Sequence, residues 1–231
     1  MPVNLLVLLF VAKCAIVHSL SSTSNKGRGV IQGIRSLLPE GAPGALPWYQ
    51  EGLDFSCTGC GKCCKVAGDV WLAPEEIPII MEAVEENQYD EFRKKYIRAE
   101  IAPASDDEEE RLSETWAKLQ SSKEGGCVFL NPIGQCSIYE VRPVQCRTYP
   151  FWPSLLENSE AWEEERVLPD DQPLQSGQRH WSAEGGGCEG IGIGEEEVVQ
   201  IDEIRSKRRE ARKHWKRFPG GDDIKENTWF L

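Results

Sequence analysis

The sequence predicts a small cysteine-rich α+β domain centred on a metal, mostly helical outside short strands and ligand loops. Three observations predict it. Four cysteines fall within eight residues, Cys57-x-x-Cys60-x-x-Cys63-Cys64, and four more follow at Cys127, Cys136, Cys146 and Cys188. Apolar residues recur at helical spacing between the two groups, as at Ile77, Ile80, Met81 and Val84. Short extended pieces joined by turn residues surround Cys127 and Cys136.

The totals fit one domain behind a leader. The chain has 231 residues, 40% hydrophobic with eight Trp, so a core can form despite 28% charge. Nine cysteines are well below the density of a small disulfide scaffold. Formal net charge is −12. Residues 1–39 hold Lys13, Lys26, Arg28 and Arg35 and no acid, so they contribute +4 and leave −16 for the rest. So acidic a body repels a nucleic-acid backbone and argues against DNA or RNA as the main partner.

Residues 1–22 read as a signal peptide. The apolar run Leu5–Val17 is too short, and too interrupted by Lys13, for a membrane span, so no stable span is expected in the mature chain. Residues 23–47 read as a transit-like segment and linker. Ser21–Leu38 is basic, Ser/Thr-rich and acid-free, and Glu40–Pro47 is rich in Pro, Gly and Ala. A signal peptide followed by such a stretch resembles the bipartite leaders of proteins sent to secondary plastids in algae. Plastid delivery is therefore expected, with secretion as the alternative. Cys14 lies in this leader, which leaves eight cysteines for the mature protein. Residues 48–218 form the expected cysteine-cluster metal-binding domain, and 219–231 a C-terminal tail.

Within the domain, a C-x-x-C loop turns two sulfurs toward one point, and Gly59 and Gly61 allow the positive φ of so tight a turn. Cys57, Cys60 and Cys63 thus converge, while adjacent Cys64 serves the same centre or a neighbouring one. The competing reading is a disulfide framework, but adjacent cysteines such as Cys63 and Cys64 rarely pair without strain. Metal ligation is the better reading of the spacing.

After the loop, Asp69–Leu72 predicts a short strand. Ala73-Pro74-Glu75-Glu76 predicts a helix start, with proline in the first turn and acids against the positive dipole end. A second helix is expected over Tyr89–Ile101 and a third over Leu112–Gln120 around Trp116. The acidic run Asp106–Glu110 reads as a solvated loop rather than a metal site. Gly126–Tyr139 predicts two extended pieces joined by a turn at Asn131–Gly134. Pro143 suits the first turn of a short helix carrying Cys146, and Pro150 stops it. Arg142 and Arg147 flank that cysteine. They would either offset the negative charge of several thiolates on one metal or form ordinary carboxylate pairs.

Residues 154–184 are polar and predict little. Gly190-Ile-Gly192-Ile-Gly194 lacks the preceding strand of a nucleotide loop, so its glycines are expected to bring backbone close to Cys188. A helix is expected from Glu195 to about Trp215, its basic part Lys207–Arg217 a solvated face. His18, His180 and His214 show no ligand spacing.

Taken together, these residues resemble the YkgJ-like cysteine-cluster family, also called the CxxCxxCC zinc- or iron-chelating domain. The matching pieces are Cys57-x-x-Cys60-x-x-Cys63-Cys64, Cys127-x-Phe129-Leu130, Cys136-x-Ile138-Tyr139 and Arg142-Pro143-x-x-Cys146-Arg147-x-Tyr149-Pro150-Phe151, with Cys188-x-Gly190-x-Gly192 last. Trp71–Ile77 also looks like the family's helix start, with Ala73 where a capping Ser or Thr is expected.

The resemblance implies metal binding through cysteines, with a metal ion as the partner. It leaves the protein partner unidentified, and zinc and an iron–sulfur cluster both open. One four-cysteine centre leaves four thiols over; two zinc centres use all eight. Cys57-x-x-Cys60-x-x-Cys63 also matches the first three ligands of a bacterial ferredoxin-type run, with the fourth supplied from afar. The family includes relatives named as flagellin lysine N-methylases. The chain shows no S-adenosylmethionine loop, and that activity does not follow from kinship alone. The three classes in play are a metal-supported fold, a redox protein and a methyltransferase-like enzyme, beside a secreted disulfide-stabilised domain.

Overall fold

The computed structural model describes residues 46–219 apart from 67, 104–105, 123–124 and 194–197. The expected signal peptide, almost all of the transit-like segment and linker, nearly all of the C-terminal tail and the start of the last helix at Glu195 lie outside the described residues. Two compact units divide the chain, Met1–Gln50 and Glu51–Leu231. Of the first, 46–50 form a turn closed by the Gln50 N–H on the Pro47 carbonyl at 3.0 Å.

The second unit is α+β, as expected. Its main sheet has three antiparallel strands in the order β2 (Trp71–Leu72), β4 (Trp116–Leu119), β3 (Ile97–Ile101). Leu72 pairs with Ala117, and Ile97 with Leu119, so alternate side chains from all three strands reach one face. Helices α1 (Glu76–Ala83) and α2 (Tyr89–Tyr96) cover that face with Ile77, Ile80 and Phe92. Ile80, Phe92, Leu72 and Ala117 are fully buried there, and the three larger side chains each contribute about 1.5–3 kcal/mol.

Two expected helices end or turn into strand. The second stops at Tyr96, and Ile97–Ile101 is β3; the third is replaced by α3 (Glu108–Glu114) followed by β4. Both corrections have one cause. The two segments pair with each other across the sheet, and that non-local ladder overrides a weak local helical pattern. The acidic run is likewise not a loop throughout. Asp107 caps α3 by accepting the Glu110 N–H at 2.9 Å, and its acids sit at the helix start, where the dipole favours them.

The remaining elements hold the cysteines. Helix α4 (Val144–Thr148) carries Cys146, with Pro143 at the capping position just before it. Helix α5 (Ser159–Glu165) is capped by Asn158 and stacks Trp162 on Phe151, ring centroids 5.7 Å apart. A second, two-stranded antiparallel sheet pairs β1 (Leu53–Asp54) with β5 (Val198–Val199). Helix α6 (Ile201–Arg217) starts later than expected, because Val198–Val199 is taken into that sheet and Gln200 is extended, and it packs Ile204, Ala211 and His214 inward. Among the described residues no helix is long and apolar enough to cross a membrane.

Candidate metal centre

The cysteine loop begins where β1 ends. Phe55 bridges to Ile191, and the Ser56 N–H bonds the Gly190 carbonyl at 3.0 Å. A Cβ on Gly190 would stand 2.3 Å from the Ser56 carbonyl oxygen, so only glycine permits this approach. The loop is thereby laid beside the segment that carries Cys188. Farther on, Lys62–Cys64 forms a single 3₁₀ turn entered by Gly61 at φ 67°. A Cβ there would lie 2.0 Å from the Gly134 carbonyl oxygen. The Asn131–Gly134 turn thus presses on the middle of the loop, held by the Asn131 Oδ1 accepting the Ile133 and Gln135 N–H groups.

Backbone hydrogen bonds bring the distant cysteines in. The Cys127 N–H donates to the Cys64 carbonyl at 2.7 Å. Cys136 is bridged to Leu130, three residues beyond Cys127. The Cys188 N–H donates to the Glu165 carbonyl at 2.7 Å. Lys62, inside the loop, reaches Glu189 Oε1 at 2.5 Å and Asp170 Oδ1 at 3.0 Å. Burial alone would lower the Lys62 ammonium, but its hydrogen bonds to Glu189 and Asp170 outweigh this and raise it.

Cys63 is the common neighbour. Its sulfur is hydrogen-bonded to Cys64 and lies within electrostatic reach of Cys127, Cys136, Cys146 and Cys188. Cys64 in turn bonds both Cys63 and Cys136. That shared thiol hydrogen brings Cys63 down to about 7 against desolvation, with help from Arg142, and Cys136 down to about 6. Cys64 itself is driven far up by the same two bonds. Burial pushes Cys127 up to about 11, Cys188 up to about 12 and Cys146 well above the ordinary thiol value. Cys64 thus keeps its proton between two sulfurs whose own thiols are lowered. A soft cation in place of that proton gains the same electrostatic position with more charge.

Among the described residues eight cysteines are free, Cys57, Cys60 and Cys63 exposed and the other five partly covered. Cys63 keeps solvent contact as a residue while protein atoms crowd its sulfur. Cys60 stands by Cys188, and Cys57 accepts a hydrogen bond from the Tyr139 hydroxyl. Among the described residues, no three His, Cys, Asp or Glu side chains are arranged as they stand to hold a metal ion. The donor chemistry nevertheless fits a thiophilic metal: all sulfur, with the Cys63 and Cys136 thiols both lowered.

The two flanking arginines have different neighbours. Arg142 stacks on the Tyr139 ring at 3.8 Å and its charge reaches Cys63, Cys136 and Cys146. Arg147 bonds Glu210 of α6 at 2.6 Å and the Arg142 carbonyl at 2.9 Å, and stands 3.6 Å from Glu76. Sequence reasoning missed Lys62, Tyr139 and Glu76 as supports of the site. Only the capping-box position of Glu76, three residues after Ala73, offered a local signal.

The eight described cysteines lie on a small α+β domain, and the family comparison gives that domain its class. Residues 56–170 match the family model titled CxxCxxCC, "Putative zinc- or iron-chelating domain", and the chain belongs to that family. The matched stretch runs from before Cys57 to beyond Cys146 and leaves Cys188 outside. No solved structure matches the chain.

Proposed function

We propose that the chain holds an iron–sulfur cluster on its cysteine thiolates and serves a redox role. One observation carries this reading: Cys63, third in the C-x-x-C-x-x-C run, is exposed and lies within electrostatic reach of Cys127, Cys136, Cys146 and Cys188, each from a different segment. Cys57, Cys60 and Cys63 would hold the cluster with one remote cysteine, and bound there it would take up and release an electron. Arg142 offsets the thiolates' negative charge. The Tyr139 hydroxyl donates to Cys57, and hydrogen bonds to cluster sulfur ligands tune their potential.

A second reading is a structural zinc ion. It is favoured by the grouping of Cys63, Cys64, Cys127 and Cys136, four thiols, the number that closes such a site. Cys127 and Cys136 also pack against the main core, so a metal there would staple the loop to the sheet. The substitutions Cys63→Ser and Cys60→Ser, read by metal content per chain, separate the two. Loss of metal in both supports the cluster. Loss in Cys63→Ser alone supports zinc, and retention in both contradicts either reading. The plastid expectation belongs to the same proposal, because reduced thiols need a reducing compartment or metal delivery. A fluorescent fusion of residues 1–47 that stays in the secretory lumen would contradict it.

A further inference from the structure

The outer face of α6 carries four cations that make no salt bridge among the described residues. The helix has eight Lys or Arg against three acids in a chain of net charge −12. Its inner face is Ile204, Ala211 and His214, and the opposite face shows Arg209, Arg212, Lys213 and Lys216, all exposed. Their spacing of three, four and seven residues aligns them on one stripe, about 10 Å long at 1.5 Å per residue.

Many other cations of the described residues are paired. Lys62, Arg93, Lys94, Lys95, Arg98, Lys118, Arg147, Arg166 and Arg217 each stand within salt-bridge distance of a carboxylate. On α6 itself, Arg205 and Lys207 face Asp202 and Glu203, and Glu210 is taken by Arg147. Four adjacent cations without a carboxylate partner among the described residues are a concentrated positive site on an acidic body.

We infer that this stripe docks a compact acidic patch on a partner protein. Nothing apolar lies among the four cations, so the face has no side chain to insert into a lipid surface. It has no aromatic for stacking bases, and a long nucleic-acid polyanion would run from the stripe onto acidic surface. A short acidic patch meets the stripe without that repulsion, and opposite potentials of this kind govern association rate and partner choice. The stripe lies on the helix that packs against α4 and is joined to it by Arg147 and Glu210, so a partner bound there stands one helix away from Cys146.

The test uses the full chain and a labelled dodecaglutamate peptide, with duplex DNA and phosphatidylserine vesicles as competitors. Peptide affinity is expected to fall as salt is raised. It should fall about tenfold or more in R209Q/R212Q/K213Q/K216Q, with unchanged unfolding midpoint, and stay unchanged in K94Q/K95Q. Equal binding by the quadruple variant would overturn the inference. Tighter binding to DNA or vesicles would do the same, as would self-association of the chain at the same ionic strength that is lost in that variant.

Discussion

Glu76 Oε1 accepts the backbone N–H of Val144 at 2.6 Å, so a carboxylate on α1 caps the helix that carries Cys146. Its other oxygen accepts the Ala73 N–H at 2.7 Å and lies 3.9 Å from His214 Nδ1. Two helix starts therefore share one buried side chain, which makes at Ala73 the Glu half of a capping box, while Ala73 has no hydroxyl for the other half. Burial raises the Glu76 carboxyl despite these bonds.

Replacing Glu76 by Gln keeps the shape but turns an amide N–H₂ toward one of the two donors. A buried N–H left without an acceptor costs about 1–3 kcal/mol. Urea unfolding of Glu76→Gln should show a loss of that size, and Cys146 should be alkylated faster in the native state. Wild-type stability together with an unchanged Cys146 rate would mean that this bond does not position the helix.

Such a role was not legible in the sequence, because Val144 is 68 residues away from Glu76. The same holds for Lys62 and Glu189, 127 residues apart. What could be read was local: the C-x-x-C spacing, the proline before Cys146, the turn at Asn131–Gly134 and the α+β class. The extent of α2 was misread because Phe92, Tyr96 and Ile97 continue an apolar helical face. Only pairing with β4 decides that Ile97 begins a strand. The solvated-loop reading of the acids 106–110 hid the Asp107 cap, because an acidic run suits a loop and a helix start alike.

His214 makes stability depend on pH. It is 4% exposed between Trp116 and Trp215, and burial lowers it to about 4 from an ordinary 6.5. The unfolded chain then binds a proton that the folded chain refuses, so the folded state is fully favoured above about 6.5 and loses stability as pH falls toward 4. The loss from this residue reaches about 3 kcal/mol. Unfolding midpoints from pH 7 to 4.5 should fall more steeply for wild type than for His214→Leu. Parallel curves would show that His214 titrates alike in both states.

Arg142 is the cation that the thiolates share. In Arg142→Gln, Cys63 and Cys136 should titrate higher than in wild type, and Arg142→Lys should restore part of the difference. The pH dependence of iodoacetamide labelling at each cysteine, read by mass spectrometry on metal-free protein, measures this. Unmoved profiles would leave Arg142 only its stacking on Tyr139.

The central claim is that the gathered cysteines hold an iron–sulfur cluster. Its most direct test is iron, sulfide and absorbance analysis of the chain purified without oxygen. The account predicts a brown protein with iron and acid-labile sulfide, a broad band near ~400 nm, and bleaching of that band on reduction. A colourless protein holding zinc would contradict the cluster and leave the structural centre. A protein with neither metal, its cysteines closed to alkylation until reduced, would contradict metal ligation altogether.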